Sequence, residues 1–349
     1  MMKRQAFDLK LPVALGSGLA ATLLLVSLRQ GTLPAFFLAS LSPLPLMIAT
    51  LGFGYAAGLG AVAVAVFTFI ALLTAAAARQ NGWPDALSTA GLDGLIFALC
   101  QALPAWWLAR LAGLNRADAP LPWTARRNEK GRACDYYPVG LIVLHAALIG
   151  FAIVAFATLI VSLGQTNFEA SLDRAAAKIA PLMAQALGPY ELPNGVDLAK
   201  LARLVVRAMP PVAASMIFVL LLLNLWLAGR VVQVSNLLSR PWPDIAHELR
   251  VPRLLGVALA ATSALCLLGG IAGLIASIAT AVLAIVFALQ GLCVIHDLSR
   301  GTKFRGALLC GLYVALALLM PWPLVVFTLV GLLDAGFSLR DRKAAAPHS

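Results

Sequence analysis

The segment from Ser42 to Ala78 most constrains what this chain can fold into, because it contains no charged residue. Prolines at 43 and 45 interrupt its start, and glycines follow at 52, 54, 58 and 60. It ends in an uncharged run made mainly of Ala, Val, Phe, Ile and Leu. A transmembrane helix needs about 20 consecutive apolar residues, and this segment supplies them. Comparable runs recur as far as Phe337.

Composition supports a membrane protein built from helices. Hydrophobic residues make up 61% of the 349 residues and charged residues only 12%, against about 25% charged in a soluble domain. In lipid, only helices and closed barrels satisfy their backbone hydrogen bonds, and barrel strands alternate polar and apolar residues over about 10 positions. The runs here are longer and evenly apolar. The sequence therefore predicts an all-α, polytopic transmembrane helix bundle.

The apolar runs predict about ten spans, with eight as the lower limit because the last pair is short. That pair forms either a tilted or a re-entrant hairpin, and both leave the C-terminus on the same side. The predicted spans are 11–28, 33–50, 55–78, 87–108, 138–163, 210–228, 254–268, 271–294, 306–320 and 324–337.

Lysine and arginine concentrate in alternate loops. They cluster at 109–137, 229–253 and 300–305 and near both ends of the chain, whereas the short intervening loops carry few. Because positive charges favour the cytoplasmic side, both termini are predicted to be cytoplasmic. The first span is interpreted as retained and not as a signal peptide. The net charge of +11 then faces the anionic lipid bilayer, and no nucleic-acid partner is expected.

The segment 164–209 is predicted to form an external amphipathic helical insertion. Apolar residues recur at helical spacing from Phe168 to Leu187, and Asp197 is placed to cap a second helix. The insertion is either a covering loop or a lid over an outward-facing cavity. The predicted regions are a four-span unit at 1–110, a basic loop at 111–137, spans five and six with their loops at 138–253, the last spans at 254–340, and a tail at 341–349.

Polar side chains inside the apolar runs are candidate sites, because an ionisable group in lipid is costly. Asp93 and Gln101 are eight residues apart in span four and share roughly one helix face, while Asn224 lies in span six. These three residues are the candidate substrate-binding group. The alternative is that Asp93 starts a helix or bonds a neighbouring helix, and that the two amides join helices. The break at Pro43 and Pro45 is expected to face the bundle interior, towards Asp93.

Small residues four positions apart permit close helix contacts. Two such pairs are Ala14 with Gly18 and Gly54 with Gly58. We interpret these four residues as helix-packing positions or as a contact surface for a membrane protein partner.

A second polar group is expected at the cytoplasmic ends of spans eight and ten. Its opposite charges favour an ion-pair cluster that ties the two spans together, and a docking surface for a partner is the alternative. Its members are His296, Asp297, Arg300, Asp334 and Arg340.

Enzyme motifs are missing from the sequence. It contains no HExxH, no GxSxG and no P-loop, and its five cysteines lack metal-binding spacing. We therefore expect no catalytic residue, no metal and no cofactor, with a membrane enzyme acting on lipid left open.

Three features resemble the DUF2232 (YybS-like) family of bacterial membrane proteins. They are the Pro-x-Pro and glycine-rich stretch at 43–60, the Trp-Pro-containing loop before span seven, and the segment Gly331-Leu-Leu-Asp-Ala-Gly-Phe-Ser-Leu-Arg340. The resemblance implies a multi-pass protein of the bacterial inner membrane, and that family implies no established activity. The first 110 residues also resemble the S component of energy-coupling factor vitamin importers, in which an early small-residue face packs on a coupling subunit. The resemblance implies that Ala14, Gly18 and Ala20 form such a face.

The function expected from the sequence is transport-related. The protein would bind or pass a small solute through a cavity near Asp93 and Gln101, without an ATPase of its own, and Asp93→Asn would abolish binding in a folded protein. The alternative function is a non-catalytic scaffold or assembly protein that holds a protein partner at the cytoplasmic face through the span eight and ten cluster.

Overall fold

The computed structural model describes residues 10–114, 136–163, 167–187, 197–238 and 240–345. These residues are mostly helical, and none of them lies in a β-strand. A 3₁₀ turn follows α1 at Ser27–Gln30 and α11 at Cys266–Leu268, and a π turn at Ala98–Ala102 joins α5 to α6. The helices are α1 Lys10–Val26, α2 Leu33–Ser40, α3 Pro43–Phe53, α4 Tyr55–Asn81, α5 Trp83–Phe97, α6 Leu103–Gly113, α7 Val139–Leu163, α8 Phe168–Leu187, α9 Leu198–Val234, α10 Ile245–Glu248, α11 Leu254–Leu265, α12 Gly270–Leu298, α13 Arg305–Leu318, α14 Trp322–Phe337 and α15 Leu339–Ala345.

Within the described residues, seven helical segments are long and apolar enough to cross a membrane. They are Lys10–Gln30, Leu33–Phe53, Tyr55–Ala78, Trp83–Gly113, Val139–Leu163, Leu198–Val234 and Gly270–Leu298. The shorter apolar helices are Leu254–Leu268, Arg305–Leu318 and Trp322–Phe337. The prediction of an all-α polytopic bundle is confirmed. The exact number of spans and their orientation stay predictions, and the predicted basic loop lies largely outside the described residues.

Predicted span six and the second amphipathic helix form one helix, α9, which runs through Pro210 and Pro211. The span was predicted to begin at Pro210 because proline removes a backbone donor and ends most helices. Ala202 and Ala214, on either side of the prolines, are fully buried. Packing along α9 therefore offsets the hydrogen bonds that the prolines lose. The Asp197 carboxylate accepts a hydrogen bond from the Ala199 amide at 2.9 Å, as expected of a cap.

The chain divides into two compact units. Unit 1 comprises Met1–Ala146 and Val219–Asp244, and unit 2 comprises Ala147–Phe218 and Ile245–Ser349. The divisions fall inside α7 and α9. Unit 1 thus contains the whole predicted region 1–110 together with the C-terminal part of α9.

In unit 1, α1 packs closely on α4 at the predicted small residues. A Cβ at Gly18 would lie 2.7 Å from the Ala61 carbonyl oxygen, and one at Gly60 would lie 3.2 Å from the Ala14 side chain. Thr22 Oγ1 donates a hydrogen bond to the Ala65 carbonyl oxygen at 2.9 Å. The structure therefore places Ala14 and Gly18 in a contact between helices of the same chain.

Gly54 and Gly58 serve different purposes at the turn between α3 and α4. Gly58 lies against α3, where an added Cβ would be 2.0 Å from Thr50 Oγ1. Gly54 has open space around it and a φ of 94°, a backbone conformation that glycine adopts without strain. Gly58 is thus a packing residue, whereas Gly54 forms the turn.

The break between α2 and α3 faces the interior of unit 1. Pro43 is buried and Pro45 is half-buried, as predicted for backbone that lipid cannot satisfy. Leu44 donates its amide to Leu41, so the Ser40 carbonyl oxygen lacks the partner that a continuous helix would provide.

Asn224 supplies the missing donor to Ser40. Its Nδ2 donates to the Ser40 carbonyl oxygen at 2.9 Å and to the Leu220 carbonyl oxygen of its own helix at 2.8 Å. Asn224 is fully buried. It therefore fastens the C-terminal part of α9 to the break within unit 1.

We predict that Asn224→Leu destabilises the protein by about 1–2 kcal/mol, because it leaves a buried carbonyl without a donor. Chemical unfolding of the purified protein in detergent would measure this loss. The control is Gln233→Leu on the same helix, which removes only an exposed bond from Arg230. Equal losses for the two variants would contradict the prediction.

Unit 2 is organised around the crossing of α12 and α14. A Cβ on Gly291 would lie 1.9 Å from the Phe327 carbonyl oxygen, and a Cβ on Gly331 would lie 2.0 Å from that of Phe287. The two backbones can touch only because both residues are glycine. This close crossing positions the polar network that lies at the end of α14.

Candidate functional site

A buried ion pair lies at the C-terminal end of α14. Asp334 is in the last turn of that helix, and Arg340 follows in α15 after Ser338, whose φ is 51°. This left-handed residue reverses the chain, and Arg340 Nη2 then donates to Asp334 Oδ2 at 2.7 Å. The Arg340 and Asp334 side chains are only 1% and 5% exposed.

Every N–H group of the Arg340 guanidinium has an acceptor. Nη1 donates to the carbonyl oxygens of Ala246 at 2.9 Å and His247 at 3.1 Å, and Nη2 also donates to that of Leu249 at 2.8 Å. Nε donates to Asp334 Oδ1 at 3.4 Å. Arginine presents five donors in a planar fork, whereas lysine presents three on one nitrogen. Arg340 therefore holds α10 and the residue after it against the end of α14.

Gln290 extends this network to α12. Its Nε2 donates to Asp334 Oδ2 at 2.8 Å, and its Oε1 accepts from the Val251 amide at 3.1 Å. Gln290 directly precedes Gly291, so the close helix crossing brings its amide within reach of Asp334. Because unpaired buried polar groups cost free energy, these bonds explain how a charged pair persists inside an apolar bundle.

More exposed charges surround the buried pair. Arg250 and Asp341 approach to 2.6 Å. Asp297 lies between His247, at 3.5 Å, and Arg300, at 3.3 Å. These pairs are partly solvent-exposed, and such pairs contribute about 0–1 kcal/mol each.

The structure places the polar residues predicted at spans eight and ten in separate contacts. Asp334 bonds Arg340, and Asp297 pairs with Arg300. His296 lies apart from them and contacts the Tyr313 hydroxyl of α13 at 3.1 Å. Neither of these two ion pairs joins span eight to span ten, whereas the hydrogen bond from Gln290 to Asp334 does.

The three predicted substrate-binding residues lie in different surroundings, and their role stays a prediction. Asp93 is exposed on α5, Gln101 is half-buried in the π turn, and Asn224 is buried at the break between α2 and α3. Within the described residues, no hydrogen bond or ion pair joins these side chains. The π turn widens the helix just before Pro104, whose ring would otherwise clash with a carbonyl one turn earlier.

Unit 2 contains an open cavity of about 860 Å³ between α7, α8 and α9. Small-molecule sites are typically about 300–1,000 Å³ and mostly apolar. Most of the lining here is apolar, including Ile153, Val161, Phe168, Leu172 and Met209. The cavity therefore has the size and the lining of a site for an apolar or amphipathic solute.

The polar residues of the cavity lie mainly along α7 and α8. Thr158 and Ser162 of α7 and Ser171, Arg174 and Lys178 of α8 all border it. No group of three or more potential metal ligands is found among the described residues. The cavity thus joins a large apolar surface to a small number of polar groups.

These features define a polytopic membrane protein with a buried ion pair in unit 2 and an apolar cavity in the same unit. The chain belongs to the DUF2232 family of predicted membrane proteins, whose model matches residues 129–335. The match contains the cavity and Asp334 and ends before Arg340. No curated protein and no solved structure matches the chain. The likeness to energy-coupling factor S components stays a resemblance.

Sequence reasoning missed the lining of the cavity between α7, α8 and α9 and the glycine crossing. The place of Arg174 and Lys178 at a cavity depends on the neighbouring helices, which the sequence of α8 does not show. Gly291 and Gly331 each lie in the interior of an apolar helix, with no glycine directly beside them. An isolated glycine within a helix is itself a signal, because it costs about 1 kcal/mol relative to alanine and usually has a packing reason.

Proposed function

We propose that this membrane protein is transport-related and non-enzymatic, and that it binds a small apolar or amphipathic solute in the cavity between α7, α8 and α9. The observation that carries the proposal is the cavity itself, an apolar space of about 860 Å³ inside one compact unit. A binding cavity of this kind is the minimum that a solute-handling membrane protein requires.

Helix α8 supports the proposal because it forms one wall of the cavity. The insertion was predicted to be either a covering loop or a lid, and a helix that borders a cavity favours the lid. The distribution of lysine and arginine favours a topology in which α8 lies outside and both termini lie in the cytoplasm. The membrane in this proposal is the inner membrane of a bacterium. Transport driven by ATP would require a coupling subunit, since this chain lacks a nucleotide-binding motif.

The scaffold alternative has less support. It depended on the polar group of spans eight and ten as a docking surface. Asp334 and Arg340 are buried and bonded inside unit 2, so neither side chain is available to a partner without breaking the network.

We predict that Ala157→Trp weakens solute binding on the order of tenfold or more, because the indole would overfill the cavity. Ala157 lines the cavity from α7 and is itself exposed to that space. The measurement is native mass spectrometry of small molecules that co-purify from native membranes in mild detergent.

Two further variants make this test specific. Ala152→Trp adds the same side chain to an exposed position of α7 that does not line the cavity, and it should retain the bound solute. Asp93→Asn should also retain it. If Asp93→Asn lost the solute and Ala157→Trp kept it, the site would lie on predicted span four and the proposal would be wrong.

A further inference from the structure

The charged residues among those that line the cavity are both cations. Arg174 and Lys178 lie four residues apart on α8. The hydroxyl groups of Thr158, Ser162 and Ser171 donate to carbonyl oxygens of their own helices and carry no charge. No aspartate or glutamate is among the described lining residues. The cavity therefore combines an apolar volume with positive charge on one wall.

The acidic residues of α8 are engaged elsewhere. Glu169 and Asp173 both pair with Arg203 of α9, the second at 3.3 Å. At about 100° per residue, Arg174 and Lys178 lie roughly 100° and 140° around the helix from Asp173. Charge on α8 is therefore segregated, with the acids against α9 and the cations at the cavity.

This arrangement favours a ligand with an apolar body and an anionic end. The anionic end of the ligand would be unfavourable against the apolar lining, where it would have no charged partner. It therefore belongs beside the exposed side chains of Arg174 and Lys178. Apolar chains would cover the remaining lining. A purely apolar solute would not use the cations, and a small ionic solute would not use the apolar lining.

We infer that the cavity binds an anionic phospholipid, with its acyl chains against α7 and α9 and its phosphate at Arg174 and Lys178. Such a lipid reaches the cavity from the surrounding bilayer, and the cavity's volume lies in the upper part of the range for small-molecule sites. The inference rests on the proposed function and names the chemical class of its solute.

The test uses two phospholipids with identical acyl chains, anionic phosphatidylglycerol and zwitterionic phosphatidylcholine. Both are offered in equal amounts to the delipidated full-length protein in detergent, and bound lipid is counted by native mass spectrometry. The unmodified protein should prefer phosphatidylglycerol. The double variant Arg174→Gln/Lys178→Gln should lower that preference by about tenfold or more, since each cation at a lipid headgroup contributes about fivefold.

A matched control separates this site from general charge effects. Lys200→Gln neutralises an exposed lysine of α9 that does not line the cavity, and it should leave the preference unchanged, whereas Lys178→Gln alone should lower it. An equal loss in both single variants would mean general attraction of anionic lipid to a basic surface, and would overturn the inference.

The remaining outcomes distinguish this inference from the proposed function. In one outcome, the two lipids bind equally, Arg174→Gln/Lys178→Gln has no effect, and Ala157→Trp still abolishes lipid binding. The cavity would then bind a solute without using the charge of the two cations, and only the inference would fail. If Ala157→Trp leaves all binding unchanged, the proposed function fails as well. Displacement of both lipids by a co-purified fatty acid or peptide would also overturn the inference.

Discussion

Gly331→Ala is expected to destabilise the protein by about 3 kcal/mol or more, at the upper end of the cost of overpacking. The added Cβ would lie 2.0 Å from the Phe287 carbonyl oxygen, far inside van der Waals contact. That oxygen belongs to the backbone of α12, so no side-chain rotation can relieve the clash. The two helices would have to separate, and Gln290 would then lose its contact with Asp334. Thermal unfolding of the purified protein in detergent would show a lowered midpoint.

Gly336→Ala provides the matched control for this prediction. Gly336 lies on the same helix, and an added Cβ there meets no atom within 4 Å. This change should be neutral or slightly stabilising, because alanine favours helix over glycine by up to about 1 kcal/mol. Gly291→Ala, on the facing helix, should resemble Gly331→Ala. A Gly331→Ala protein as stable as Gly336→Ala would show that α12 and α14 do not cross at these glycines.

Arg340→Ala is expected to cost about 3–5 kcal/mol, because removal of one partner leaves the other as an uncompensated buried charge. It would also remove the donor from three carbonyl oxygens of the segment 246–249. Arg340→Lys should be nearly as harmful, since one ammonium cannot reach acceptors spread around a planar fork. Chemical unfolding in detergent would measure each loss.

Two comparisons separate the buried pair from a general effect of charge. Arg342→Ala removes an exposed arginine that stacks on the Phe337 ring at 5.9 Å, and it should cost about 1 kcal/mol or less. In a double-mutant cycle, Asp334→Ala with Arg340→Ala should cost less than the two single losses added together, because no unpaired charge remains. Strict additivity would mean that the two side chains do not interact.

Much of the fold could be predicted from the sequence because hydropathy is a local property. The break at Pro43 and the cap at Asp197 were predictable, since each depends on the backbone chemistry of a few adjacent residues. Gly54 was interpreted as a packing residue, whereas the structure has open space around it and a φ of 94° at the turn. The boundary expected at Pro210 was not found, because burial along α9 outweighs a local preference. This effect of burial depends on tertiary contacts, which the sequence does not show.

The candidate site was predictable only in part. Asp334 and Arg340 were identified because a charge beside an apolar helix is costly without a partner. The acceptors of Arg340 were not identified, since they are main-chain oxygens about 90 positions earlier and carry no side-chain signal. Asp93 is exposed on α5, and its expected place at a cavity stays a prediction, because a helix period shows that residues share a face but not what that face contacts.

The sequence by itself determined that this chain is a polytopic helical membrane protein, because only helices satisfy the backbone of long, evenly apolar segments in lipid. Its family resemblance was also readable from the Trp-Pro-containing loop before span seven and the start of the segment from Gly331, which the family model matches as far as residue 335, whereas the stretch at 43–60 lies outside the match. Only the tertiary structure decided that Gly291 meets Gly331, and that a cavity opens between α7, α8 and α9. Both depend on which helices become neighbours, and close approach and empty volume are properties of that arrangement and not of any one segment.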